Sequence, residues 1–103
     1  MIIGKVVGSI VSTTKAEKLK GKKLLIVQPL DMYTINDDGK SLVAIDTVGS
    51  GEGEVVLVVS GSSARQTEAT NGVPVDAAIV GIVDQIEIEG TFTFRKGGNE
   101  VWK

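Results

Sequence analysis

The stretch that decides the fold is AIDTVGSGEGEVVLVVSGSSAR, residues 44–65. Its pattern predicts a strand, a glycine-dense turn, a second strand and a short helical turn. Gly49, Gly51 and Gly53 stand at alternate positions, where they permit positive φ angles and leave no side chain to crowd a neighbour. The segment therefore suits a close approach of its backbone, either to a ligand or to another copy of the chain.

The strands on either side of these glycines cover residues 42–48 and 54–60. Only five residues separate them, so the pattern predicts a β-hairpin. Ser63, followed three residues later by Gln66, fits a capping box and predicts one or two helical turns that end near Asn71.

The rest of the chain also favours strands. Residues 1–14 form a long strand candidate in which Gly4 and Gly8 indicate close packing, as in a tightly coiled barrel strand. Residues 24–30, LLIVQPL, suit a strand that is buried on both faces, with Pro29 where pairing ends or at an edge.

A last long strand is predicted over residues 75–89, where Asp84 interrupts the apolar face. That carboxylate is either hydrogen-bonded at a junction or exposed at an edge. Phe92, Phe94 and Trp102 predict a further short strand in the tail, about residues 90–103, that pairs within the chain or lies at an interface with a neighbour.

Composition agrees with an all-β class. Val and Ile supply 25 of the 103 residues and aromatic side chains only four, and β-branched side chains favour a pleated surface. The length suits one domain, residues 1–103, and leaves no room for two separate cores.

Charge gives the chain no general reason to bind nucleic acid, because the formal net charge is −2. The distribution is uneven. Five lysines against one glutamate give residues 15–23 a local charge of +4, and this lysine segment is either a solvated loop or a partner-facing patch.

Catalysis and metal binding have few candidate residues, since the chain contains no Cys and no His. Ser62 and Ser63 lack an identifiable base, so capping explains them better than nucleophilic attack. Asp46, Asp76 and Asp84 match no metal-loop spacing, and hydrogen bonding at turns and strand ends is the default for each. We therefore expect no catalytic site, no metal and no cofactor.

Two binding functions are alternatives to a structural one. A phosphate-binding loop requires a helix after its glycines, whereas here a strand follows. A small barrel that binds single-stranded nucleic acid would use the lysine segment, but that function requires stacking aromatics and the chain has four.

Membrane or export signals are not indicated, because Gly4, Lys5 and Gly8 interrupt the apolar N-terminal residues. We expect a cytoplasmic protein with no membrane partner.

Four blocks of sequence resemble the EutN/CcmL family of bacterial microcompartment vertex proteins. They are GKVVGSIVSTTK (4–15), GKKLLIVQPLD (21–31), residues 44–65 as quoted above, and PVDAAIVGIVD (74–84). Ser50 departs from the family pattern, in which many members have alanine.

The resemblance implies a small OB-like five-stranded β-barrel with one short helix. It also implies a homopentamer that caps the vertices of a microcompartment shell beside hexameric shell proteins, with no enzymatic activity. The subunit or tile interface would include Ser62, Ser63, Arg65, Asp76, Ala77 and Ala78. The loop nearest the five-fold axis would include Gly49, Ser50, Gly51 and Glu52.

Overall fold

The computed structural model describes residues 1–13, 15–68, 70–71 and 76–97. These residues form a nearly all-β structure, as predicted. The strands are β1 (Ile2–Ile10), β2 (Leu24–Pro29), β3 (Leu42–Asp46), β4 (Val55–Ser60), β5 (Ala77–Ile82), β6 (Gln85–Ile88) and β7 (Thr91–Arg95). The helical residues of the described ranges lie in two short 3₁₀ helices, Glu17–Leu19 and Gly61–Arg65.

The first five strands close into a barrel in the order β1-β2-β3-β5-β4, which confirms the five-stranded barrel. The hairpin prediction is wrong, because β5 lies between β3 and β4. Ile79 pairs with Val58 of the antiparallel β4, and Ala78 pairs with Ile45 of the parallel β3. The glycine-dense segment therefore spans the width of β5 instead of making a tight turn.

The barrel interior is apolar. Its buried cluster consists of Val6, Leu25, Val27, Ala44, Val56, Val58, Ala77 and Ile79. Gly4 confirms the predicted close packing, because a Cβ there would collide with Val27 Cγ1 and lie 3.0 Å from the carbonyl oxygen of Gln28. Pro29 ends β2, where pairing was predicted to stop.

Strands β6 and β7 form a separate two-stranded hairpin on the outside of the barrel. Its Phe94 packs in a second buried cluster with Ile3, Leu30 and Val55 of the barrel wall. The short tail strand is thus confirmed and pairs within the chain, while Trp102 lies outside the described residues.

The predicted long strand over residues 75–89 is wrong, because the chain leaves the barrel after Ile82. The amide of Val83 donates to the carbonyl of Val55 at 2.8 Å, and Asp84 lies exposed at the junction. The carbonyl of Asp84 accepts the amide of Lys96 at 2.8 Å, which joins the two ends of the hairpin.

The capping-box prediction is also wrong. The 3₁₀ helix Gly61–Arg65 begins after Ser60, which makes no side-chain capping bond, and Ser63 lies within the helix. The carbonyl of Ser63 accepts the amide of Gln66 at 3.2 Å. The fully buried Ala64 holds this helix against the barrel.

Candidate assembly surfaces

Residues 47–54 connect β3 to β4, and residues 47–53 are called the glycine loop. Asp46, the last residue of β3, holds its first half. One carboxylate oxygen, Oδ1, accepts the amide of Val48 at 3.3 Å, the amide of Ser50 at 3.1 Å and the hydroxyl of Ser50 at 2.7 Å. This confirms the expected strand-end hydrogen bonding of Asp46 and fixes the turn into the loop.

Lys23, at the entrance to β2, adds a charge to this anchor. Its Nζ lies 3.9 Å from Asp46 Oδ2 and donates to the carbonyl of Ser50. Burial of the carboxyl acts to raise the pKa of Asp46, but the hydrogen bonds from Ser50 and Val48 and the charge of Lys23 outweigh it and hold the pKa below its usual value. Asp46 is therefore ionised at neutral pH.

Glu54 holds the other half of the loop. Its Oε1 accepts the amide of Gly51 at 2.8 Å, and its Oε2 accepts Lys96 Nζ at 2.9 Å. The hydrogen bond from Lys96 is the main cause of the lowered pKa of Glu54, and the same contact raises the pKa of Lys96. Lys96 directly follows β7, so its contact with Glu54 joins the outer hairpin to the end of the glycine loop.

Three amides of the glycine loop already have acceptors and are not available to bind an anion. Those of Val48, Ser50 and Gly51 already donate to the carboxylates of Asp46 and Glu54. Because a phosphate would need such donors and would meet two negative charges, the structure disfavours the phosphate-binding hypothesis.

The glycines of the loop differ in what they require. Gly49 has a φ of +78° and Gly53 a φ of +92°, conformations that other residues rarely adopt. Gly51 has no positive φ, and a Cβ there would meet Glu54 Oε1 at 3.9 Å, an ordinary contact. Within the described residues nothing requires glycine at position 51. The neighbouring Ser50 is fully buried.

The two predicted interface segments lie side by side. Ser60 pairs with Ala77, and the amide of Gly61 donates to the carbonyl of Asp76 at 2.8 Å. Four of the predicted residues are exposed on this surface: Ser62, Ser63, Arg65 and Asp76. Ala77 is 7 % and Ala78 0 % exposed, so their side chains pack inside the subunit below it.

Sequence reasoning missed a depression of about 190 Å³ next to this surface. Its lining includes Asp76, together with Leu19, Leu24 and Val43. A signal was present in the apolar run 24–30. That run predicted burial on both faces, yet Leu24 and Ile26 remain half-buried on the outer face.

Asp46, Asp76 and Asp84 form no ion site in the part of the chain that the structure describes. No group of three or more acidic residues there is arranged to hold a metal. Separately, none of the helices within the described ranges has the length and apolar character needed to cross a membrane.

Comparison with known proteins identifies strong similarities. Residues 1–84 match the family described as ethanolamine utilisation protein EutN/carboxysome. The shell vertex protein GrpN of Rhodospirillum rubrum is 52 % identical over 87 residues, covering 84 % of this chain and 97 % of GrpN. The shell vertex protein EutN of Salmonella typhimurium is 45 % identical over 96 residues, covering 93 % and 96 %.

Solved structures agree with the sequence relatives. The pentameric shell protein GrpN of R. rubrum superposes with a TM-score of 0.74 at 49 % identity, covering 85 % of this chain and 98 % of that one. CcmL of Nostoc sp. superposes with a TM-score of 0.87 at 44 % identity, covering 92 % and 99 %. The family match ends at residue 84, where the barrel is complete and the outer hairpin begins.

Proposed function

The chain belongs to the EutN/CcmL family of bacterial microcompartment shell vertex proteins, and we propose that it forms a homopentamer that caps the vertices of such a shell. The observation that carries this proposal is the similarity of the whole barrel to the pentameric GrpN, at 49 % identity. The role is structural and not enzymatic, as the names of the relatives indicate.

The neighbours of the pentamer would be hexameric shell proteins in the cytoplasm. Flat layers of hexamers cannot close on themselves, and a five-fold ring supplies the missing curvature. Such a ring uses heterologous contacts that close after five copies. No observation favours the single-stranded nucleic acid function, and we do not propose it.

We place the residues Gly49, Ser50, Gly51 and Glu52 nearest the five-fold axis. Glycine at position 51 supports this placement, because no described atom of the same subunit requires it. Close approach of neighbouring copies would require it instead. The anchors Asp46 and Glu54 would hold the loop in one conformation beside its four symmetry mates.

The exposed residues Ser62, Ser63, Arg65 and Asp76 would contact a neighbouring subunit or a hexameric tile. A guanidinium suits this role, because it can bind a carboxylate or carbonyl groups of a partner in a fixed geometry. Ala77 and Ala78 are buried beneath these exposed residues, and their small side chains let the surface pack closely on the barrel.

Co-expression with hexameric shell proteins tests the function. With this chain present we expect closed polyhedral shells by electron microscopy, and without it open or elongated ones. Closed shells of the same shape in its absence would contradict the proposal.

The variant Arg65→Ala should reduce the amount of chain that copurifies with shells. Lys5→Ala is a suitable control, since Lys5 is an exposed cation in the middle of β1, outside the proposed surface. Equal incorporation of both variants into shells would show that Arg65 does not contribute to the interface.

A further inference from the structure

Large exposed apolar side chains lie at both ends of β1, and Val7 between them is also exposed. Met1 is 78 % and Ile2 42 % exposed at its start, and Ile10 is 38 % and Val11 92 % exposed just at or after its end. The nine residues of the strand separate these positions by about 25 Å at ~3.3 Å per residue. Contiguous apolar surface of this kind marks an interaction site more often than isolated exposed residues do.

The surface at the end of β1 is called the basic face. Ile10 pairs with Leu24 across β1 and β2, and Ile26 pairs with Val43 across β2 and β3, so these pairs continue one another along the outer wall. Val43 is 44 % exposed, although it lies in the middle of a sheet.

The lysine segment borders this face. Leu19, from its 3₁₀ helix, lines the same depression as Leu24 and Val43. The apolar surface therefore has a positively charged rim: residues 15–23 have a local charge of +4, and Asp46, the ion-pair partner of Lys23, lowers the net charge to +3. Asp76 lines the depression too, which joins the basic face to the interface proposed above.

The surface at the start of β1 is called the acidic groove. It has a volume of about 380 Å³, and its apolar lining includes Met1, Ile2, Met32 and Tyr33. Its walls are fixed, because Thr93 Oγ1 of β7 donates to the carbonyl of Met32 at 2.7 Å.

Two carboxylates contribute to the lining of this groove. Asp31 and Asp38 line it, and three aspartates against one lysine give residues 31–41 a local charge of −2. Asp31 is locked in place, since its Oδ1 accepts the amides of Tyr33 at 2.8 Å and Thr34 at 3.0 Å. The rim thus has the opposite sign to that of the basic face.

We propose that the acidic groove of one subunit receives the basic face of the next copy of the chain, and that this contact closes the ring. The inference rests on the proposed function. A ring needs two different surfaces on every subunit that complement each other, and a self-complementary patch would stop at a dimer. Apolar centres with rims of opposite charge give both the area and the orientation for such a contact.

Two variants test the contact, each disabling one surface. Val11→Asp places a charge in the basic face, and Met32→Asp places one in the acidic groove. Both side chains are more than half exposed, at 92 % and 53 %, so circular dichroism should show an unchanged fold. We expect each variant alone to fall from pentamer to monomer by native mass spectrometry.

Mixing the two variants is the decisive step. The Val11 variant keeps its groove and the Met32 variant keeps its basic face, so a 1:1 mixture should form a dimer with one chain of each kind and no larger ring. Isotope labelling of one variant identifies the composition. Thr91→Asp, which adds the same charge on the outer hairpin, should remain pentameric.

The results separate this inference from the proposed function. A pentameric wild type with pentameric Val11 and Met32 variants would overturn the two-face contact and leave the vertex function standing. Monomeric variants that form no mixed dimer would overturn the complementarity. A wild type that is monomeric at every concentration would overturn both.

Charge reversal tests the rims separately. Lys18→Glu and Asp38→Lys should each raise the concentration at which the ring dissociates several-fold, and the effect should shrink in high salt. Combining both changes in one chain should restore assembly toward the wild type. If the double variant instead assembles as poorly as the sum of the two single effects predicts, the pairing of the two rims is contradicted.

Discussion

Gly4 in the barrel wall and Gly51 in the glycine loop are the same residue type under different constraints. At Gly4 a side chain would collide with Val27 of the same chain. At Gly51 the described residues leave ordinary space and an unstrained backbone. The contrast teaches that folding requires a glycine in the barrel wall, whereas the described residues of the subunit place no such requirement on position 51.

The largest effect should come from Gly4→Ala. The new methyl group would force β1 and β2 apart, which costs about 1–3 kcal/mol in a packed core. Urea unfolding at fixed chain concentration measures the change. Gly8→Ala is the matched control, because its Cβ would lie 3.6 Å from Ile26 Cδ1. Equal destabilisation by both substitutions would show that the collision at Gly4 is not what constrains the wall.

The next effect should come from Asp46→Ala, which removes the anchor of the glycine loop. Three hydrogen bonds to a nearly buried carboxylate are lost, and Lys23 loses its counter-ion. We expect a loss of about 1–3 kcal/mol in the free energy of unfolding. Hydrogen exchange at the amides of Val48 and Ser50 should accelerate, and protection equal to the wild type would contradict the anchoring role.

The same anchor predicts a pH dependence. The folded pKa of Asp46 lies below its ordinary value of 3.8, so its stabilising contribution is present above pH 3.8 and is lost as the pH falls through the folded pKa. The stability difference between the wild type and Asp46→Asn should therefore shrink below pH 3.8. A constant difference down to pH 2 would contradict ionised Asp46 as the anchor.

The smallest effect on the fold should come from Gly51→Ala. The circular dichroism spectrum and the exchange rates of the loop should stay close to the wild type. The pentamer population should fall, because the proposed placement would bring five new methyl groups together near the axis. Gly53→Ala is the contrasting control, since its φ of +92° makes any side chain strained within the subunit. A fully pentameric Gly51→Ala would place the loop away from the axis.

Local patterns predicted the strands but not their partners. The close packing at Gly4, the end of pairing at Pro29 and the strand that contains Phe94 all follow from residue type. The insertion of β5 between β3 and β4 depends on contacts such as Ile45 with Ala78, which no short-range signal specifies. The break at Asp84 had a signal, because this carboxylate interrupts the apolar face, but the alternation that continues beyond it predicted a single strand over residues 75–89.

The candidate site was predicted in part. The resemblance selected the glycine loop and the SSAR residues, and the structure places Gly61 and Asp76 in contact. The anchors Lys23 and Lys96 were not foreseen, because they lie 27 residues from Ser50 and 42 from Glu54 along the chain. Sequence separation of that size conceals a contact that only the closed barrel creates.

The mass of the purified wild-type chain in solution tests the central claim most directly. Native mass spectrometry or light scattering should give the mass of five 10.8 kDa chains over a wide range of concentrations. A single-chain mass of 10.8 kDa throughout that range would contradict the account.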